Sequence, residues 1–538
     1  MRNGASQTDR STGAGQAPAG VWRFPRSPFV SSASFLFFDL ETTGADPIVD
    51  RPLQFAAIRT DLNLEPVGEP TVWYARPEID CLPHPAAVMT TGLLPDDAVL
   101  AGADSEANLA NRVYRLVNRP NTCVVGFNSL RFDAPMLRFL FWRNLLDPYR
   151  HEWADGNSRF DVLDAARTYR LLRPKALHWP VNEQGRPTLR LAELAAANGL
   201  THRNAHDALS DVEATIDLAR RLRDADPALW QRLLAARDKR QVARLVDDPE
   251  VTPFLHVSPR LPAATGSASL FCSLGRVDDN RNRRECWDLR FDPEPWMDLE
   301  PEDWARRRFV KSLPAGVERD WEDLRLPIKS IHLNRVPVVL PEATLDQPGV
   351  AQRMVIDRSL AREHARFVRR HVAAMRERLQ RAIAATEGDF PSRPAEESLY
   401  EGFLPPADRS VLESWWERAR GLRSREEAIA HARGLLDHRF EDARLDAVVE
   451  RFVARNLPEA LEGPARERWR QHLVERLRPG ERDEGADDGS RRRDFPTLFA
   501  EIERLRRSDD WSPDQRALLE PYARWLAERE REVGSMAG

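Results

Sequence analysis

The run Phe35-Leu36-Phe37-Phe38 leads directly into Asp39-Leu40-Glu41 and is closed by Thr42-Thr43-Gly44. A short apolar stretch that ends in a turn reads as a buried strand. Side chains alternate across a strand, so Asp39 and Glu41 share one face. Two anions side by side at a strand end repel each other and resist desolvation, which is unfavourable unless something positive binds. A divalent cation answers that need, because carboxylate oxygens are hard ligands. The plainer alternative is a pair of solvated acids in a strand-end loop.

Further apolar runs at Gln54–Leu62, Val72–Ala75 and Thr122–Phe127 read as strands. Between and after them, Ser105–Val117, a segment from Asp133, Leu189–Asn198 and Asp207–Leu222 carry helical periodicity. Strands alternating with helices predict an α/β domain over residues 34–222. The whole chain has 538 residues, which at about 150 residues per domain leaves room for three to four. Residues 1–33 are rich in Ser, Gly, Ala and Pro and are expected to be a disordered tail. Residues 227–391 mix short β-like runs (Ser269–Cys272, Pro337–Leu340) with Pro-rich breaks and one long helix. Residues 394–538 read as helical, interrupted by a charged low-complexity loop at Arg478–Arg493.

No stretch approaches the roughly 18 apolar residues of a membrane span, and the first residues lack the apolar core of a secretory signal. The four cysteines show no CxxC spacing, which argues against a zinc ribbon or a disulfide scaffold. A cytoplasmic location is expected. The net charge of −5 does not announce a nucleic-acid binder, yet all but four of the 80 basic residues are arginine. GC-rich codon usage accounts for most of them, but arginine is also the better fork for phosphate.

A third acid, Asp133, follows the strand Thr122–Phe127 and opens a helix with Pro135 in its first turn. By itself it would be an ordinary N-cap. In Asn204-Ala205-His206-Asp207-Ala208-Leu209-Ser210-Asp211 a helix opens near His206, and Asp211 falls beside the apolar stripe of Val212, Ile216 and Ala219. Four carboxylates and a histidine suit phosphodiester hydrolysis with two metal ions about 3.5–4 Å apart. Asp39 would bridge both ions, Glu41 and Asp211 would complete one site, and Asp133 would hold the other. His206, with its pKa near neutrality, would deprotonate the attacking water.

These motifs resemble the DEDDh exonuclease superfamily: Asp39-Leu40-Glu41, then Asp133 in GFNSLRFD, then His206 and Asp211 as Hx4D. A longer resemblance, to the bacterial exodeoxyribonuclease I family, runs over roughly residues 34–530. It is carried by FLFFDLETTGADPIVDRPLQFAAIRTD, DGNSRFDVLDAARTYRLLRP, HVSPR, PIKSIHLNRVPVV, LYEGFLPPADR and ARNLP. The resemblance implies an RNase H-like exonuclease domain with a mixed five-stranded sheet, an SH3-like β-barrel domain and an all-helical C-terminal domain. It also implies processive 3′→5′ digestion of single-stranded DNA to 5′-mononucleotides in repair and recombination. Mg²⁺ would be the cofactor, as two ions, with Mn²⁺ as an alternative. The implied partner is the acidic C-terminal tail of single-stranded DNA-binding protein, met by a monomer. Arg190, in TLRLAEL, matches the family's substrate-contacting arginine. The N-terminal tail and the Arg478–Arg493 loop fall outside the resemblance.

Between Arg138 and Arg167 bases alternate with aromatics, a mixture that single-strand binders use for stacking and for phosphate. Phe139, Phe141 and Trp142 have core spacing. Arg138, Tyr149, Trp153, Arg167 and Lys239 are the expected contacts. Two other readings remain open: an RNA 3′-end exonuclease of the same superfamily, since motifs do not reveal how the 2′-OH is treated, and a non-catalytic single-strand DNA-binding scaffold.

Overall fold

The computed structural model describes residues 33–183, 185–200, 207–308, 325–385, 393–478 and 493–537. Strand β1 (Ser34–Thr42) is buried at every position except Asp39, which is partly exposed. It pairs antiparallel with β2 (Pro52–Thr60) and parallel with β4 (Thr122–Gly126). With β3 (Thr71–Tyr74) and β5 (Ser158–Asp161) it forms a mixed five-stranded sheet in the order β3-β2-β1-β4-β5. A central strand covered on both faces has to be apolar throughout, and β1 is apolar until its acids. Gly126 ends β4 where a Cβ would lie 2.6 Å from the Ser129 Cβ and 3.1 Å from the Phe38 carbonyl oxygen, so a larger residue there would force the turn after β4 to shift.

The two faces of β1 have different neighbours. Leu36, Phe38 and Leu40 pack into a core shared with Phe139 and Phe141 and with Trp415, Phe452 and Tyr522 of the C-terminal helices. Phe35 and Phe37 pack with Val212 and Ile216 of the helix Ala208–Ala225, in a core that continues to Leu270 and Trp287 of a second sheet. Asp39 and Glu41 have the parity of Phe35 and Phe37, so they emerge on the face that the helix Ala208–Ala225 covers.

The second sheet is antiparallel throughout: β6 (Phe254–Val257), β7 (Ala268–Gly275), β8 (Arg283–Asp288), β9 (Ile328–His332) and β10 (Val338–Pro341), in the order β10-β6-β7-β8-β9. The long helix Arg358–Ala384 and the short helix Pro301–Arg308 cover it, with Trp304, Val368 and Met375 in the same core as Trp287. The C-terminal helices share one core with the first sheet and are tied to it by side chains. The Trp142 and Trp416 indoles donate to the carbonyls of Ala395 and Asn144 at 3.0 and 3.2 Å.

All four cysteines are free and buried. No helix is long and apolar enough to cross a membrane among the described residues.

Candidate active site

Three elements bring the acids together. β1 carries Asp39 and Glu41, the first turn of the helix Asp133–Arg143 carries Asp133, and the first turn of the helix Ala208–Ala225 carries Asp211. Asp39, Glu41 and Asp211 each offer an oxygen, all within 4.8 Å of one another. Asp133 is buried beside them. Its carboxylate accepts the backbone N–H of Leu40, and its Oδ1 has no hydrogen-bond partner. His206, the expected base, lies outside the described residues.

The sheet fixes this convergence through a residue that the motif reading passed over. Gln54 lies opposite Glu41 in the β1–β2 register. Its amide donates to Asp207 Oδ1 at 3.0 Å and to the Tyr74 hydroxyl at 3.1 Å, while its oxygen accepts the Ala208 N–H at 3.4 Å. Asp207 in turn caps the helix that bears Asp211 by accepting the Ser210 N–H. Asp161 is a second such residue. Buried at the end of β5, it accepts the N–H groups of Asn128 at 2.9 Å, Leu130 at 3.2 Å and Leu163 at 2.9 Å, and so shapes the loop leading to Asp133. A glutamine in a strand and an aspartate before a helix carry no distinctive spacing, so sequence offers little signal for either.

Electrostatically the cluster is unbalanced. Burial, then the charges of Asp133, Glu41 and Asp211, push the Asp39 carboxyl well above its usual range. Burial and the neighbouring Asp211, Asp133 and Asp207 push Glu41 up to about 9. Burial, with Asp161 and Asp211 adding to it, pushes Asp133 up to about 8. Among the described residues, the groups acting on Glu41 are all acids. Clustered carboxylate oxygens, a buried Asp133 oxygen without a donor, and only acids acting on Asp39 and Glu41 among the described residues fit a divalent cation.

Beside the sheet, Arg131, Arg260, Lys329 and Arg335 line a groove of about 360 Å³ between β6, β9 and the loop before Asp133; Asp164 is the one acid among the described lining residues. Burial, with Arg260, Arg325 and Arg131 nearby, lowers Lys329 to about 8. Of the six expected substrate contacts, Arg138 alone lines this groove. Its guanidinium is held by Glu152 at 2.7 and 3.1 Å and by the Tyr400 hydroxyl at 3.2 Å. Arg167 differs from expectation: one helical turn after Asp164, it is buried and its fork is drawn onto that carboxylate. Arg190 is largely exposed and only loosely paired with Glu193, at 3.5 Å, and Lys239 is exposed at the start of its own helix. Tyr149 is half-buried, its ring 5.7 Å from that of Phe403, and Trp153 is exposed. The sequence reading did not single out Tyr400 or Phe403, which come from the C-terminal region. Phe403 is 81% exposed and Tyr400 50%, so both rings are open to solvent.

A mixed sheet that gathers four carboxylates at the end of its central strand defines an exonuclease-type nuclease domain, and the family model for "Exonuclease" matches residues 36–219. The models "Exonuclease I SH3-like domain" and "Exonuclease I C-terminal domain" match residues 237–384 and 393–529. The chain belongs to the exodeoxyribonuclease I family. It is 36% identical over 441 residues to exodeoxyribonuclease I of Escherichia coli strain K12, covering 82% of this chain and 89% of that protein. The zinc-bound form of the E. coli ExoI–ssDNA complex superposes with a TM-score of 0.80 at 32% identity, covering 93% of this chain and 100% of that one. An ExoI/SSB-Ct complex matches with the same TM-score, identity and coverage.

Proposed function

We propose that this chain is a single-strand-specific 3′→5′ exodeoxyribonuclease that depends on divalent metal, with Mg²⁺ as its working ion and Mn²⁺ as a substitute, and that it releases 5′-mononucleotides in DNA repair and recombination. The observation that carries this reading is the convergence of Asp39, Glu41 and Asp211 within 4.8 Å, in a chain with all three parts of the exonuclease I family. Asp39, Glu41 and Asp211 would hold one cation, and Asp133 with Asp39 a second. When bound, such ions neutralise the charge that builds on the phosphate in the transition state. His206 takes the proton of the attacking water. Gln54 and Asp207 keep the helix carrying Asp211 against β1, and Asp161 keeps the loop before Asp133 in place.

The basic groove supports a path for a phosphate backbone. The exposed rings of Trp153, Phe403 and Tyr400, the last of them beside Arg138, suit unstacked bases, which only a single strand presents. The match to an ExoI/SSB-Ct complex supports docking of the C-terminal tail of single-stranded DNA-binding protein. The long downstream match favours DNA over RNA. The deciding experiment is digestion of matched 3′-labelled DNA and RNA oligomers with Mg²⁺. We expect loss of the label from single-stranded DNA, with duplex and RNA spared. Faster loss of RNA overturns the substrate assignment.

A further inference from the structure

The C-terminal region reaches back to the turn that follows the acidic strand end. Pairing of β1 with β2 shifts register between Glu41 and Thr42, and the chain then turns through Thr43–Arg51. Thr43 is the hub of this turn. Its N–H donates to the Arg51 carbonyl at 2.9 Å, its Oγ1 accepts the Arg51 N–H at 2.9 Å, and the same hydroxyl donates to Asp50 Oδ1 at 3.2 Å. Asp50 is 1% exposed, and Gly44 lies so close over its carboxylate that a Cβ would overlap it. The Asp46 N–H donates to Asp50 Oδ2 at 2.9 Å.

The only guanidinium that the structure places on Asp50, among the described residues, is that of Arg493. Its Nε lies 3.1 Å from Oδ1 and its Nη2 2.9 Å from Oδ2, a two-pronged contact across 443 residues of sequence. A buried carboxylate stripped of such a partner is strongly destabilised, and the backbone around it opens to let water in. Here that backbone is the turn whose first residues directly follow Glu41.

We propose that Arg493 is a positioning residue for the metal site: by holding Asp50 it holds Thr43, and through Thr43 the end of β1 that presents Glu41. The proposal rests on the reading of Asp39, Glu41 and Asp211 as metal ligands. It assigns the last arginine of the charged run Arg491-Arg492-Arg493 a task at the catalytic end of the sheet. Arg493 itself touches neither substrate nor metal. The competing account is an ordinary ion pair that adds stability and nothing else.

The two accounts separate in the full-length protein when Mn²⁺ binding is measured by calorimetry alongside kcat, KM for a DNA oligomer and the thermal midpoint. For Arg493→Gln we expect Mn²⁺ affinity to fall at least tenfold and kcat to fall by a similar factor, with KM changed less than twofold. Arg493→Lys should regain most of the affinity. Thr43→Val keeps the Asp50–Arg493 pair but removes the hydroxyl link, so it should weaken Mn²⁺ severalfold, and it decides the matter if Arg493→Gln does not fold. Mn²⁺ affinity and kcat within twofold of wild type in the folded variants, whatever the thermal midpoint does, overturn the proposal. Failure of the wild type to bind Mn²⁺ would instead sink the metal-site reading beneath it.

Discussion

Two clusters of acids in this molecule look alike by distance. Asp39, Glu41 and Asp211 at the end of β1, and Asp80, Glu396 and His472 between the first sheet and the C-terminal helices, each bring three candidate ligand atoms within 4.8 Å of one another. Charge balance separates them. Asp80 accepts Arg455 at 2.6 Å and Arg51 at 2.9 Å, and Glu396 accepts Arg455 at 2.6 and 2.7 Å. Burial works against ionisation of Asp80, but Arg455 and Arg51 override it and hold the carboxyl well below its usual range. The same contest leaves Glu396 below its usual range, with Arg455 the main opposing charge. In the first cluster, among the described residues, the side chains acting on Asp39, Glu41 and Asp133 are acids, burial outweighs the backbone N–H groups that Asp133 accepts, and all three carboxyls are displaced upward. Converging oxygens are therefore not enough to mark a metal site. The mark is convergence without a built-in cation.

Asp39→Asn tests the unbalanced cluster and should have the largest effect. Losing a shared ligand removes several kcal/mol of transition-state stabilisation, a fall in hydrolysis of about a thousandfold or more. Binding of single-stranded DNA should stay within about threefold, because the groove is untouched. The same variant should be more stable than wild type in EDTA, since one of the mutually repelling charges is gone, and should lose the rise in thermal midpoint that Mn²⁺ gives wild type. Retained hydrolysis, or an Mn²⁺ response equal to that of wild type, would remove Asp39 from the site.

Asp80→Asn tests the balanced cluster, where the loss should fall on stability. It leaves Arg455 and Arg51 buried with one acceptor fewer, at a cost of about 3–5 kcal/mol. The pH dependence has a definite sign. Asp80 and Glu396 have folded-state values below their ordinary 3.8 and 4.5. Their contribution is therefore complete above about pH 4.5 and is lost as pH falls through the folded values. Denaturant melts of wild type should show a steep loss on acidification below about pH 4, and Asp80→Asn should flatten it. An unchanged acid limb would mean that the pairs do not contribute as their geometry implies.

The contrast also explains what sequence could reveal. Strand-end acids are legible because period two and an apolar run announce them, Asp133 because it opens a helix after the strand Thr122–Gly126, and Asp211 because it falls beside the apolar stripe of Val212, Ile216 and Ala219. Phe139, Phe141 and Trp142 read correctly as core, being at most 1% exposed. β8 (RRECWD) was hidden because it lacks an apolar alternation. The balanced cluster was invisible because Asp80, Glu396 and Arg455 meet only through tertiary packing. Arg493 was hidden by composition: a charged, low-complexity run reads as solvated surface until Asp50 is seen beneath its last residue. Substrate contacts are hard to read from sequence for a related reason. In a chain so rich in arginine, composition cannot tell a fork already engaged by a neighbour, such as Arg167 on Asp164, from one that faces the groove, such as Arg260 or Arg335.

The smallest expected effect concerns the exposed rings, and it sharpens the contrast because it involves no charge. Phe403 contacts Tyr149 across the boundary between the C-terminal region and the sheet domain, and Tyr400 lies edge-on to Phe139 with Arg138 6.0 Å from its ring centre. An apolar ring that is four-fifths exposed gains little from the fold, so its value must come from what lands on it. Stacking of one base contributes about 1–3 kcal/mol, so Phe403→Ala should weaken binding of a deoxyadenosine oligomer about fivefold or more. Replacing the bases with abasic sugars keeps every phosphate contact and deletes the stack, so on that ligand Phe403→Ala should change affinity by less than twofold. The phosphate term is screened by salt and the stack is not, which gives a second handle: the ratio between wild type and variant should hold as salt is raised while both affinities fall. Equal losses on the normal and abasic strands would show that Phe403 acts by bracing the arm that carries it, leaving base recognition to other rings.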